Sequence, residues 1–286
     1  MRTVLAGDLG GTKCRFALVA ADFSVHAVQH VPTVRERTTF LASLEAIGRL
    51  ALFTLKAVIH CLTPPFYPRL IGRQMIEIGF YSLPVIGMTA VFTGMVLVLQ
   101  TYVAVSRLNA ESTIPYVVVI SLTRELGPVL AGLMLAGRVG AAMAAEIGTM
   151  RVTEQIDALR TLSTNPFKYL IAPRLIAAVL MLPVLVGIAD IIGVFGGYLV
   201  SVFKLDFSPS IYLKNTVDFV ETIDIVSGLV KAAAFGFIVS LMGTYNGFQS
   251  KGGAQGVGKA TTDAVVSASI LILAANFIIT GIFFSR

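Results

Sequence analysis

Long apolar runs dominate the chain beyond Arg73. Each comes close to or exceeds the roughly 20 residues that cross a bilayer as an α-helix. The runs are residues 83–105, 115–148, 175–203, 225–248 and 264–284. They predict five membrane-spanning helices, of which the second is longer than a single crossing requires. We therefore expect an all-α integral membrane protein.

A different pattern precedes these spans, in residues 38–62. The polar residues Arg49, Lys56 and His60 lie 4, 11 and 15 positions after Glu45. At 100° per residue they lie within about 60° of one another, and the rest of the helix surface is almost entirely apolar. This pattern is typical of a helix that lies in the membrane interface with a basic edge. The alternative is an amphipathic helix packed on protein. A proline-rich segment then ends the helix.

Composition supports a membrane protein. The 286 residues are 56% hydrophobic and 13% charged, and the mean hydropathy is +0.83. Soluble domains carry about twice that charged fraction, so a wholly water-soluble enzyme is excluded. Nine basic and four acidic residues lie up to Arg73, which gives this region +5 of the formal +6. The two cysteines, Cys14 and Cys61, make no disulfide framework and are expected to be unpaired thiols.

The charges of the connections predict the orientation. Residues 150–174 carry four basic residues, whereas residues 204–224 carry two lysines against four acids. Lysine and arginine concentrate on the cytoplasmic side. The N-terminal region and residues 150–174 are therefore expected inside, and five crossings place the C-terminus outside.

Charged residues inside the spans are costly and require a reason. Arg124 and Glu125 lie about nine residues into the second span, or roughly 13 Å of helix rise. On a straight helix Arg124, Arg138 and Glu146 share one face and Glu125 flanks it, although Gly127-Pro128 is expected to bend the helix. Such a stripe faces a cavity, another subunit or a partner helix.

Two interpretations of these charges stay open. They line a substrate path or gate, or they pair with one another to hold helices together. Lys231 in the fourth span and Asp190 in the third pose the same question. The candidate substrate-pathway residues are Arg124, Glu125, Arg138 and Lys231. Neither a catalytic residue nor a metal site is expected.

Glycines within the spans predict close approach of helix backbones. They lie in the third span at Gly193, Gly196 and Gly197, and in the second at Gly137 and Gly140. Plain helix packing is the simplest interpretation of these positions.

Several runs of sequence resemble one family. They are FTGMVLVLQTY in the first span, SLTRELGPVLAGLMLAGRVGAAMAAEIGTMRVTEQIDAL in the second, NPFKYLIAPRLIA after it, and GVGKATTDAVVSASILILAANFIITGIFF at the end. Together they are similar to the signature of the MlaE-type (YrbE-type) permeases of ABC transporters. The resemblance covers roughly residues 38–286, in the order in which the family has these segments.

The resemblance implies more than periodicity does. It implies an interfacial helix, five spanning helices, a homodimer, and a place in the bacterial inner membrane. The family works with a separate cytoplasmic ABC ATPase dimer, often with a STAS-domain subunit, and with a substrate-binding protein of the MCE type. Its substrates are membrane lipids, either phospholipids moved between the inner and outer membranes or sterols and related lipids. Nucleic acid is not expected as a partner.

The resemblance also implies where the ATPase binds. No G-x-x-x-x-G-K-[ST] motif occurs in the chain, so ATP and Mg²⁺ are expected on the partner ATPase, and this chain is expected to bind no cofactor and to be no enzyme. The segment GTMRVTEQIDALRTLSTNPFKYL matches the part of the family that docks on the ATPase. The expected coupling residues are Glu154, Gln155, Asp157, Ala158, Leu159 and Arg160.

The first residues depart from this family. The stretch GDLGGTKCRFAL resembles the first phosphate loop of bacterial glucokinases, with a strand from Thr3 to Ala6 and a tight turn at Asp8, Gly10 and Gly11. The rest of a kinase is absent, because the membrane helices begin too soon. Residues 1–37 are therefore expected to be a non-functional fragment.

The alternatives to a lipid permease are a membrane-anchored sugar kinase and a membrane scaffold or receptor without transport.

Overall fold

The structure is a computed structural model that describes residues 4–9, 13–19, 25–32, 34–108 and 110–284. Side chains are described for residues 44–107, 110 and 112–284. The chain divides into two units, residues 1–55 and 56–286, and each is described by itself.

The first unit contains a small antiparallel sheet. Strands β1 (Val4–Leu9), β2 (Lys13–Val19) and β3 (Val25–Pro32) lie in the order β1-β2-β3. The predicted first strand extends beyond Ala6, so that Asp8 lies in β1 opposite Arg15 of β2 rather than in a turn. Residues 10–12 of the predicted phosphate loop lie outside the described residues.

Helix α1 (Val34–Leu62) follows the sheet. Within it Glu45 and Arg49 form an ion pair at 3.5 Å on the predicted polar edge. Large apolar side chains, including Ile47 and Leu52, are exposed on the helix, as a helix in the membrane interface requires. Near its end Cys61 is a free thiol. Burial raises the pKa of this thiol to about 11, so it stays neutral at physiological pH.

Among the residues that the structure describes, five helical segments are long and apolar enough to cross a membrane, which confirms the predicted number and the all-α class of the membrane part. They are Pro68–Val105, Ile114–Val152, Phe167–Phe203, Thr222–Phe248 and Gly253–Phe284. The first begins earlier than predicted, because Pro68 suits the first turn of a helix. The fifth also begins earlier, at Gly253, so that Lys259 lies in the helix rather than in a loop.

The first three spans contain shorter helical pieces, whereas the fourth and fifth are single α-helices. The helices of the spans are α2 (Pro68–Ile78), α3 (Leu83–Val105), α4 (Ile114–Ser121), α5 (Gly127–Leu135), α6 (Ala141–Val152), α8 (Ala172–Phe203), α10 (Thr222–Phe248) and α11 (Gly253–Phe284). Two more helices lie in the connections, α7 (Gln155–Thr161) and α9 (Pro209–Asp218). Sequence patterns did not predict α9.

Helix α8 packs on α3 and on α10, and α10 also packs on α6 and α11. Glycines make the α3–α8 contact close. A Cβ atom on Gly94 would collide with the backbone carbonyl of Gly193, and one on Gly196 would lie 2.6 Å from the Val91 carbonyl oxygen. The predicted close approach is thus confirmed at Gly193 and Gly196. It is wrong at Gly137, where a Cβ atom would meet no other described atom within 4 Å.

Replacing Gly94 by alanine is expected to lower the free energy of unfolding by about 1–3 kcal/mol, because the added methyl group forces two backbones apart. The matched control is Gly187→Ala in α8, where a Cβ atom meets nothing within 4 Å. Unfolding midpoints in detergent measure both variants. Equal midpoints for Gly94→Ala and wild type would contradict the close backbone contact.

Candidate functional site: an ion-pair cluster in the second and fourth spans

The second span is not one continuous α-helix. Two π-helical turns, Leu122–Leu126 and Ala136–Gly140, separate α4, α5 and α6. Three charged residues of the span lie in these turns: Arg124 and Glu125 in the first and Arg138 in the second. A π turn widens the helix locally and recurs at functional positions.

The ammonium group of Lys231 lies at the centre of the cluster. Its Nζ atom donates to Glu125 Oε1 at 2.7 Å and to the backbone carbonyl of Arg124 at 2.7 Å. The side chain of Lys231 is completely buried. The Arg124 carbonyl lies four residues before Pro128, which has no N–H to donate to it. Lys231 therefore supplies the hydrogen bond that the proline cannot make.

The Glu125 carboxylate also binds the fifth span. Asn276 Nδ2 donates to its Oε2 at 2.8 Å, and Thr280 Oγ1 donates to its Oε1 at 2.9 Å. The Glu125 side chain nevertheless remains 38% exposed. One carboxylate thus joins three spans by charge-assisted hydrogen bonds.

Arg124 forms a separate ion pair with the fourth span. Its Nε and Nη2 atoms both lie 2.6 Å from Asp224 Oδ1. Asp224 is completely buried and also accepts the Glu221 backbone N–H at 3.1 Å, in a capping box at the start of α10. The Arg124 guanidinium lies 4.4 Å above the Phe284 ring, a cation–π distance.

The two pairs share one arrangement. In each pair one charge is completely buried and the other is partly exposed: Asp224 against Arg124, and Lys231 against Glu125. The buried charges are oriented by the protein, whereas the exposed ones remain accessible to a ligand. This arrangement allows a charged group outside the protein to contact Arg124 or Glu125 without reaching the buried partner.

Two of the predicted stripe residues lie elsewhere. Arg138 Nη1 donates to Ser82 Oγ at 2.6 Å, and Glu146 pairs with Arg174 Nη2 at 2.8 Å. Arg124, Arg138 and Glu146 thus have separate partners and form no single cluster, and the π turns change the phase that a straight helix would keep. Arg138 therefore does not contact the other predicted pathway residues Glu125 and Lys231.

Asp190 of α8 lies beside Gly127 of the second span. Its Oδ1 atom is buried and has no hydrogen-bond partner in the described part of the chain. A Cβ atom at Gly127 would collide with this oxygen, so the glycine makes room for it. Within the described residues no group of three or more His, Cys, Asp or Glu side chains is placed to hold a metal ion.

The predicted coupling segment forms the short helix α7 and the residue before it. Glu154 has a left-handed backbone (φ 61°) and turns the chain between α6 and α7. Asp157 accepts from Arg151 at 2.9 Å and from Arg160 at 3.1 Å, and Ile156 is buried. The exposed side chains are Glu154, Gln155, Ala158 and Arg160, and Leu159 is half-buried. The buried Ile156 thus holds one side of the segment against the protein, and the other side is polar and exposed.

Comparison with known proteins decides the family. The family described as Permease MlaE matches residues 71–282. The chain belongs to the MlaE permease family. A probable ABC transporter permease protein of Rickettsia bellii is 58% identical over 88% of this chain and 96% of its own length. The intermembrane phospholipid transport system permease protein MlaE of Haemophilus influenzae is 38% identical over 84% of this chain and 92% of its own.

A plant protein is also similar to this permease. Protein TRIGALACTOSYLDIACYLGLYCEROL 1, chloroplastic, of Arabidopsis thaliana is 37% identical over 83% of this chain and 66% of its own length. The chain is thus a multi-pass permease of the ABC-transporter class, with sequence similarity that covers all five spans.

Three polar residues of the MlaE permease cluster were not predicted from the sequence. Asp224 contributes to the acidic charge of residues 204–224, and it follows Glu221 at the three-residue spacing of a capping box. Asn276 and Thr280 are four residues apart in an apolar run and therefore share a helix face. Both signals were present in the sequence.

We expect Glu125→Gln to lower the free energy of unfolding by about 3 kcal/mol, since it leaves the buried Lys231 charge unpaired. Lys231→Met is expected to cost less, because Glu125 is partly exposed and keeps Asn276 and Thr280. The combined variant is expected to recover at least half of the Glu125→Gln loss. Unfolding midpoints in detergent measure the series, and additive losses in the combined variant would show that the pair is not coupled.

Proposed function

We propose that this permease moves phospholipids between the bacterial inner membrane and a periplasmic partner of the MCE type. A separate cytoplasmic ATPase dimer drives the transport, and the permease acts as a homodimer. The observation that carries the proposal is the ion-pair cluster, in which Arg124 and Glu125 remain partly exposed beside completely buried partners. The phospholipid transport named for the Haemophilus relative supports the substrate class.

The cluster suits a phospholipid in charge and in surroundings. Arg124 is the accessible cation, and a guanidinium binds phosphate oxygens through two parallel N–H groups. Glu125 is the accessible anion and can bind an ammonium in the same headgroup. Apolar spans around the cluster fit acyl chains, which need no polar partner. Because Asp224 and Lys231 are buried, the headgroup contacts only the partly exposed charges, Arg124 and Glu125.

The orientation follows from the basic connection. Arg160 lies between the second and third spans, Arg151 at the end of the second and Lys168 at the start of the third, and together they support a cytoplasmic position for α7. The N-terminus is then cytoplasmic and the C-terminus periplasmic. The exposed side of α7 is the proposed docking surface for the ATPase, with or without a STAS-domain subunit. ATP and Mg²⁺ bind to the ATPase.

The transport role is tested by the paired variant Arg124→Gln/Asp224→Asn. It removes both charges of one pair, strands neither, and keeps an acceptor for the capping hydrogen bond of α10. We expect the variant to fold and assemble but to transfer phospholipid between vesicles at least about tenfold more slowly, because a charge-assisted bond to the phosphate is lost. Glu125→Gln/Lys231→Met is the companion for the second pair.

Wild-type transfer by an assembled Arg124→Gln/Asp224→Asn variant would mean that the pair only holds α10 against the second span. Normal assembly without any transfer by the wild-type complex would favour a scaffold or receptor instead.

The coupling role is tested by Glu154→Lys. The side chain is exposed and makes no ion pair in the described structure, so the fold is expected to be unchanged. We expect weaker retention of the ATPase and less stimulation of its activity, because reversed charge at a small interface is unfavourable. Lys204→Glu, an exposed reversal at the other end of α8, is the matched control. Equal retention in both variants would contradict the docking surface.

A further inference from the structure

A second charged region lies at the α7 end of the spans. One face each of α2, α6 and the start of α8 lines a groove there, called the Arg73 groove. Along the second span it begins at Arg138, about 21 Å of helix rise from Arg124. Its charged and amide side chains are Arg73, Gln74, Glu77, Arg138, Glu146 and Arg174.

Some charged side chains of the groove have no partner among the described residues. Three arginines and two glutamates give it a net charge of +1. Arg73 and Glu77 are one turn apart on α2 and exposed, yet neither side chain makes a hydrogen bond or ion pair with any described residue. Toward the described residues Arg138 donates only through Nη1. The groove therefore presents free guanidinium donors beside a free carboxylate.

One N–H group of Arg174 has no acceptor among the described residues. Its side chain is 5% exposed, and its Nη2 and Nη1 atoms bind Glu146 at 2.8 Å and the Leu170 carbonyl at 2.6 Å. Its Nε atom is buried and has no acceptor among the described residues. A buried N–H without a partner is unfavourable, and an oxygen atom of a bound molecule would satisfy it.

We propose that the Arg73 groove binds the zwitterionic headgroup of a phospholipid from the leaflet on the α7 side of the membrane. Arg73 and Arg174 bind the phosphate, and Glu77 binds the ammonium. Glu146 lies six residues before the end of α6, about 9 Å of helix rise, which is the level of lipid headgroups. The inference rests on the proposed function for its ligand class, and it adds a site distant from the Arg124 cluster.

The test is photolabelling of the full-length permease in lipid nanodiscs. Two probes carry a diazirine on the acyl chain close to the glycerol: one has a phosphoethanolamine headgroup, the other phosphoglycerol, which lacks the amine. Labelled peptides are mapped by mass spectrometry, and we expect both probes to label α2 and α6.

Single substitutions separate the two contacts. Arg73→Gln is expected to reduce labelling of α2 by both probes about tenfold, the effect of one charge-assisted bond. Glu77→Gln is expected to reduce labelling by the phosphoethanolamine probe only. Arg69→Gln, on the same helix but outside the groove, is the matched control. Because Arg73 and Glu77 have no partners in the described structure, unfolding midpoints are expected to stay unchanged.

Unchanged labelling in Arg73→Gln would overturn the site. Protection of α2 by inorganic phosphate alone would also overturn it, since the groove would then bind a free anion rather than a lipid. The Arg124→Gln/Asp224→Asn variant separates this inference from the proposed function. Normal transfer together with normal groove labelling in that variant would overturn the proposed role of the cluster and leave the groove intact.

Discussion

The Lys231 ammonium is the group on which the arrangement of the spans depends. Its side chain is completely buried within the fourth span, so its charge and its donors must be satisfied by protein. Glu125 compensates the charge, and the Arg124 carbonyl accepts a second hydrogen bond. The fourth span is therefore fixed against the second at one depth and one rotation. The fifth span is fixed as well, because Asn276 and Thr280 bind the same carboxylate.

The Arg124 carbonyl lacks a backbone donor, and the buried Lys231 charge binds it. Both features relate to the irregular backbone of the second span. Pro128 removes one backbone donor, and the π turn before it widens the helix at Arg124 and Glu125. An irregular backbone of this kind persists within a membrane only where other groups satisfy it. The irregularity of the second span and the lysine of the fourth are thus two parts of one structural solution.

Much of the fold was predictable from the sequence because its signals are local. Apolar length predicted five spans, and the polar edge of residues 38–62 predicted the helix before them. Partners of the charges were not predictable in the same way. The phase of Arg124 relative to Arg138 depends on two π turns, and hydrophobic periodicity at 100° per residue does not reveal a π turn. Asp224 stands beside a loop in the sequence, and its charge alone does not indicate that it takes part in the cap of α10.

The glycine contact between α3 and α8 has a mechanical consequence. At Gly94 and Gly193 the backbones touch with no side chain between them, so no rotamer change can absorb a displacement. Sliding one helix along the other would drive a carbonyl oxygen into the next Cα atom. We therefore expect α3 and α8 to behave as a single rigid strut, and any rearrangement during a transport cycle to take place along the other seams, where longer side chains can slip past one another.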